Sequence, residues 1–291
     1  MEPSRACFLM FAVLIIRVAS AQGALALTVE DPRPVGKAVQ MLVSRYGYVI
    51  TYEDPRYVYG DDAQDVTAQV RKDLDEYPPG KAPKVWIPRG EKLTLSVAST
   101  AAARDVRSTL NSLVQMGRQS GGHFRVLEAG GAFHVIPTQV RNVDGNWDAT
   151  TSILDETISI TTQDRTEGEL IKDICNAVSS AAHTSVKTGL GIGQGGIRIG
   201  PEARYRFGAH NEVARDVLLR ALATTREAKR TWLLLYDISE RAYYLSVLPV
   251  PGRSPKPAIL PAAVSQPTMT APSGSSAVAS PCNVASTTPC K

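Results

Sequence analysis

Four times along this chain a stretch with apolar residues at helical spacing is followed by a short run of β-branched and aromatic residues. That alternation limits the fold more than any other feature. The first helical face is Val35, Ala38, Val39, Leu42, Val43 and Tyr46, with Pro34 in the first turn and Gly47 as the stop. Tyr48 to Tyr52 then reads as a strand ended by Asp54-Pro55, and Leu25, Leu27 and Val29 alternate as a strand leading in. In the second unit, Leu93, Leu95 and Val97 form a strand, and Thr100 caps a helix carrying Val106, Leu110, Leu113 and Val114. A hairpin follows, from Phe124 through Gly130-Gly131 to Ile136. The third unit has Ile158 and Ile160 in a strand and a capping box at Thr166 and Glu169. Leu170, Ile171, Ile174, Cys175 and Val178 make its helix face, and a short strand lies around Val186. In the fourth, Tyr205 and Phe207 precede a helix capped by Asn211 and carrying Val213, Ala214, Val217, Leu218, Ala221 and Leu222. Trp232 to Tyr236 and Ala242 to Val247 then form a hairpin.

Helices and strands are mixed and neighbouring strands are joined by short turns, which predicts an α+β fold. The expected form is repeated β-α-β-β units in two small two-layer domains, residues 22–140 and 150–248. The break falls between Arg141 and Thr150, where Asn142, Asp144, Gly145 and Asn146 cluster. Residues 61–82 read as a short helix or a strand connection, with Val66, Val70 and Leu74 spaced by four and Pro78-Pro79-Gly80 at the end.

The two ends differ from this pattern. Arg5 precedes an apolar run from Cys7 to Ile16, and Ala19-Ser20-Ala21 supplies an Ala-x-Ala end, so residues 1–21 read as a secretory signal peptide cleaved before Gln22. The run is shorter than the roughly 20 residues that a membrane span needs. Residues 249–291 hold nine of the 19 prolines and no acidic residue, a composition expected of a disordered tail. The expected location is the periplasm or the exterior of a bacterial cell, with no stable membrane span in the mature chain.

Losing two cations and one anion with the leader lowers the net charge from +4 to +3, and Lys and Arg alternate with Asp and Glu. That pattern does not point to a nucleic-acid partner. Of the four cysteines, Cys7 leaves with the leader and Cys175 falls on an apolar helix face as a buried thiol. Cys282 and Cys290 are a possible disulfide in the tail.

No motif of specific chemistry emerges, and neither a cofactor nor a metal site is expected. Gly189, Gly191, Gly193, Gly195 and Gly196 lack the following helix and Lys-Ser or Lys-Thr of a phosphate loop and read as a loop. His123, His134, His183 and His210 lack metal-ligand spacing, although His123 and His134 fall on one predicted hairpin. Asp61, Asp62 and Asp65 lack the EF-hand spacing and read as a solvated loop. There is no Gly-x-Ser-x-Gly elbow and no Ser-x-x-Lys pattern.

Arg33-Pro34-Val35, the helix through Leu42, Gly47 and the strand Val49 to Pro55 resemble the STN module, found at the N-terminus of secretins and TonB-dependent signalling receptors. Asn211 to Leu245 has the same cadence. No barrel or pore sequence follows in this chain, so the resemblance implies the module's α/β fold and a periplasmic interaction role only. The leading expectation is an exported, non-enzymatic protein that binds another envelope protein. One alternative is an envelope hydrolase with a spatially assembled site, for which His123 and His134 are the candidates. The other is a binder of small ligands or glycans through Tyr57, Tyr59 and Trp86.

Overall fold

A computed structural model describes residues 24–98, 105–119, 122–189, 203–225 and 229–251. Residues 1–21 (the expected leader), Thr100, the glycines from 191 to 196, the expected tail beyond residue 251 and the Cys282–Cys290 pair lie outside the described residues.

The fold is α+β. In the first stretch, β1 (Ala24–Glu30), α1 (Pro34–Tyr46) and β2 (Ile50–Glu53) are followed by the short β3 (Ala63–Asp65) and β4 (Trp86–Pro88). Then come β5 (Lys92–Ala98), α2 (Val106–Gln119), β6 (Phe124–Ala129) and β7 (Ala132–Pro137). The hairpin β8 (Gln139–Arg141) and β9 (Trp147–Ala149) links this stretch to β10 (Thr157–Arg165), α3 (Glu167–Ala181) and β11 (Val186–Thr188). β12 (Tyr205–Val213), α4 (Ala214–Thr225), β13 (Arg230–Asp237) and β14 (Ala242–Pro249) complete the chain.

The helices end where local chemistry dictates. Gly47 takes φ 66°, a left-handed turn, and its N–H bonds the Val43 carbonyl. At the start of α3, the Thr166 hydroxyl accepts from the Glu169 N–H while Glu169 accepts from the Thr166 N–H.

Six strands form one sheet in the order β11-β14-β13-β2-β7-β6. β2, β7 and β13 run parallel, and β6–β7 and β13–β14 are antiparallel hairpins. Alternation along the strands sends side chains to two separate cores. On one face Ile50, Tyr52, Phe124, Val135 and Leu233 meet α1 and α2, which are backed by Leu27, Val29, Leu93 and Leu95 of the antiparallel β1–β5 ladder. On the other, Trp232, Leu234, Tyr236, Tyr243 and Leu245 meet α3 and α4, backed by Ile158, Ile160, Phe207 and Ala209 of the β10–β12 ladder. With β3 and β4 set aside, the strands and helices of residues 24–137 and of 157–249 follow the same order, β-α-β-β-α-β-β.

Some expectations change. The stretches 22–140 and 150–248 share a sheet, because β2 is buried throughout and takes β7 on one edge and β13 on the other. Packing accordingly groups the described residues between 24 and 251 as one compact unit. The expected break is the β8–β9 hairpin, whose turn is held by the N–H groups of Asp144 and Asn146 donating to Asn142 Oδ1 at 3.0 Å each. Asn211 does not cap α4. It sits within β12 at φ 52°, and the strand runs on to Val213. Residues 60–76 divide into two 3₁₀ turns, β3 and a single helical turn at Thr67–Val70, with Val66 buried and Val70 56% exposed. Among the described residues no helix is long and apolar enough to cross a membrane.

Candidate functional site

Asp54, directly after β2, is fully buried and gathers four donors. Its carboxylate accepts from Arg33 Nε at 2.5 Å, the Tyr52 hydroxyl at 2.8 Å, the Tyr236 N–H at 2.9 Å and, more distantly, the Tyr57 hydroxyl at 3.4 Å. Arg33 Nη2 also donates to the Tyr236 carbonyl at 2.7 Å. This knot ties the end of β2 to β13 and fixes where the next loop leaves the sheet. Burial, reinforced by the Asp54 charge, pushes both the Tyr52 and Tyr57 phenols well above the usual range, so both stay protonated donors.

The loop from Pro55 to Gly60 then lies beyond the carboxyl ends of the parallel strands, where ligand crevices form in open sheets. It forms one side of a groove of about 680 Å³ whose lining includes Tyr57, Tyr59, Trp86 and Ile238. Exposed Val58 and Val143 also line it. The Trp86 N–H donates to Ser239 Oγ at 2.8 Å, which anchors β4 to the β13–β14 turn. Lys84 Nζ sits 5.4 Å from the Trp86 ring centre and 3.5 Å from Asp65. Arg56 and Arg241 are exposed and form no ion pair among the described residues. Among the described residues no acidic side chain lines the groove.

Tyr57 also walls a smaller pocket of about 140 Å³, with Arg33, Tyr52, His123, Arg141 and Trp147 around it. Arg141 lies between two rings, 5.3 Å from the centre of Tyr59 and 5.1 Å from that of Trp147, and it pairs with Asp62 at 3.2 Å. Its Nε is buried without a hydrogen-bond partner among the described residues. His123 packs on Trp147 at 4.2 Å. Burial, then the positive fields of Arg118 and Arg141, lower its pKa. Asp62 shifts upward through burial, with Arg141 opposing.

The structure thus brings together Tyr57, Tyr59 and Trp86, three aromatics singled out in the sequence. It does not bring together His123 and His134. His134 faces Leu127 across the hairpin, while His123 sits before β6 opposite Thr138. His134 has no exposure and turns to the second core, with Nδ1 2.8 Å from Thr51 Oγ1 and its ring on Trp232. Asp61 accepts from Tyr59, Asp62 pairs with Arg141 and Asp65 accepts from Thr67, so the three acids face different partners. Among the described residues, no group of three or more His, Cys, Asp or Glu is placed to hold a metal ion. Burial pushes the Cys175 thiol up to about 12, which suppresses the reactive thiolate.

A second polar knot lies under the sheet. Glu53 accepts from Arg215 and from the Ser152 hydroxyl, and Arg215 reaches Asp155 at 2.7 Å. Glu53 and Arg215 are 1% and 2% exposed, so this knot joins β2 to α4 internally and offers nothing to a ligand.

Sequence reasoning missed Arg56, Lys84, Arg141, Trp147 and Arg241. The one local signal was Tyr57-Val58-Tyr59, an apolar and aromatic run placed directly after a strand-ending Asp-Pro. Comparison with protein-family models, curated proteins and solved structures gave no match.

Proposed function

We propose that this chain is an exported, non-enzymatic binding protein, built of STN-like units, that holds another protein of the cell envelope. The groove carries the reading. Beyond the carboxyl ends of three parallel strands it collects Tyr57, Tyr59, Trp86, Arg56 and Arg241 beside exposed Val58 and Val143. Tyr, Trp and Arg are the side chains that dominate protein–protein binding energy. The STN resemblance is supported by α1 and β2 falling within residues 33–55, and by the second occurrence of a similar element order, β3 and β4 set aside. The hydrolase alternative has less support, since His134 is enclosed and His123 packs on the Trp147 indole.

Site-specific photocrosslinking in the producing cell tests this. Benzoylphenylalanine at Val143, on the groove, is expected to give a discrete protein adduct. The same group at Met41, exposed on α1, is expected to give none. No adduct from Val143 or from Val58 would remove the reading.

A further inference from the structure

We infer that the groove takes an acidic, extended segment of the partner protein that carries an apolar side chain between its carboxylates; this rests on the binding reading above. Among the described residues three cations, Arg56, Lys84 and Arg241, line the groove and no carboxylate does. Arg56 and Arg241 have no counter-ion among the described residues, and Lys84 has only the longer 3.5 Å contact with Asp65. Cations left unpaired around a concave surface favour an anionic occupant and steer its approach.

Arg241 adds a backbone argument. It stands in the β13–β14 turn at φ 52°, a conformation in which Gly or Asn is the less strained choice. A guanidinium occupies that position and lines the groove. The walls decide between a peptide and a sugar. Val58, Val143 and Ile238 are aliphatic, and they complement Leu or Phe better than a hydroxyl-covered ring. The volume of about 680 Å³ is that of a small-ligand cleft, which accommodates a few side chains and not a folded domain.

The test uses the chain without its leader and a fluorescein-labelled peptide of about ten residues, an arbitrary length within the size of such clefts, in which Glu alternates with Leu and Phe. Its controls are the same peptide with Lys for Glu, and polygalacturonate as an acidic glycan. Trp86 and Trp232 report separately through their indole N–H signals, because Trp232 is fully buried. The Glu peptide is expected to shift the Trp86 signal and leave Trp232 in place. The double variant Arg56→Glu/Arg241→Glu is expected to bind it at least tenfold more weakly and to gain affinity for the Lys peptide. An unchanged Trp232 signal shows that the variant is folded.

An unmoved Trp86 signal, equal affinity of wild type and double variant, or tighter binding of polygalacturonate than of the Glu peptide would each overturn the inference. If the Val143 photo-adduct persists undiminished in the double variant, the acidic assignment fails and the binding reading stands. If wild type gives no adduct from Val143 or Val58, both fall.

Discussion

His134 shows how a single side chain sets a pH dependence for the whole fold. Its Nε2 lies 3.3 Å from the Ala129 carbonyl, which only accepts, so Nε2 carries the proton and Nδ1 accepts from the Thr51 hydroxyl. Both contacts fit the neutral ring. Burial first, and then the Arg215 charge, lower its pKa from 6.5 to about 4. The folded pKa lies below the unfolded one, so the unfolded chain takes up the proton first as pH falls. The stabilisation is complete above pH 6.5 and is lost as pH drops towards 4. For a shift of this size the loss is about 3 kcal/mol. His134→Asn keeps an acceptor for Thr51 but does not titrate. Urea unfolding of both proteins across this range should show wild type losing about 2–3 kcal/mol more than the variant; parallel curves would contradict the assignment. None of this was legible in the sequence. Two histidines on one hairpin invited a shared site, whereas the partner of His134 is Thr51, on a neighbouring strand 83 residues away.

Helices were the most legible elements, because their signals are local. The apolar spacing from Val35 to Val43, the glycine after α1 and the Thr166–Glu169 box depend on neighbours within a turn or two, and each is present in the fold. Asn211 misled for the same local reason. Asn suits both a helix cap and a left-handed bend, and here the bend falls where the β10–β12 register shifts between Ile158 and Ile160, a bulge within β12. In α4 the register can be tested directly. Leu218 is fully buried in the second core, whereas Arg220 is 45% exposed, pairs with Glu212 at 2.7 Å and lies over Phe207. Leu218→Ala should cost about 2–5 kcal/mol. Arg220→Ala should cost about 0.5–1 kcal/mol, the scale of an exposed ion pair with a weak ring contact. Thermal or urea unfolding that gave equal losses would show the helix face to be misassigned.

For the molecule as a whole, the linkage between its two halves was hidden. The two stretches of similar element order read as two domains, since nothing local reveals that β13 lies against β2, about 180 residues earlier. The groove shared that fate. Its aromatics between Tyr57 and Trp86 could be singled out by type, but Arg241 reaches them only because the β13–β14 turn is carried there by the sheet. The same linkage has a consequence in time. The first core includes Leu233 and Val250, which leave the ribosome after almost everything else in the described fold. Until they arrive, β2 has an unpaired edge, Asp54 lacks its β13 donor and Glu53 waits for Arg215. The first half is therefore expected to stay open to protease until the chain's last strands appear. Nascent chains stalled with residue 150 exposed are expected to be cut readily by protease, and those exposing residue 251 to resist. Equal resistance at the two lengths would mean that the first half closes without the second.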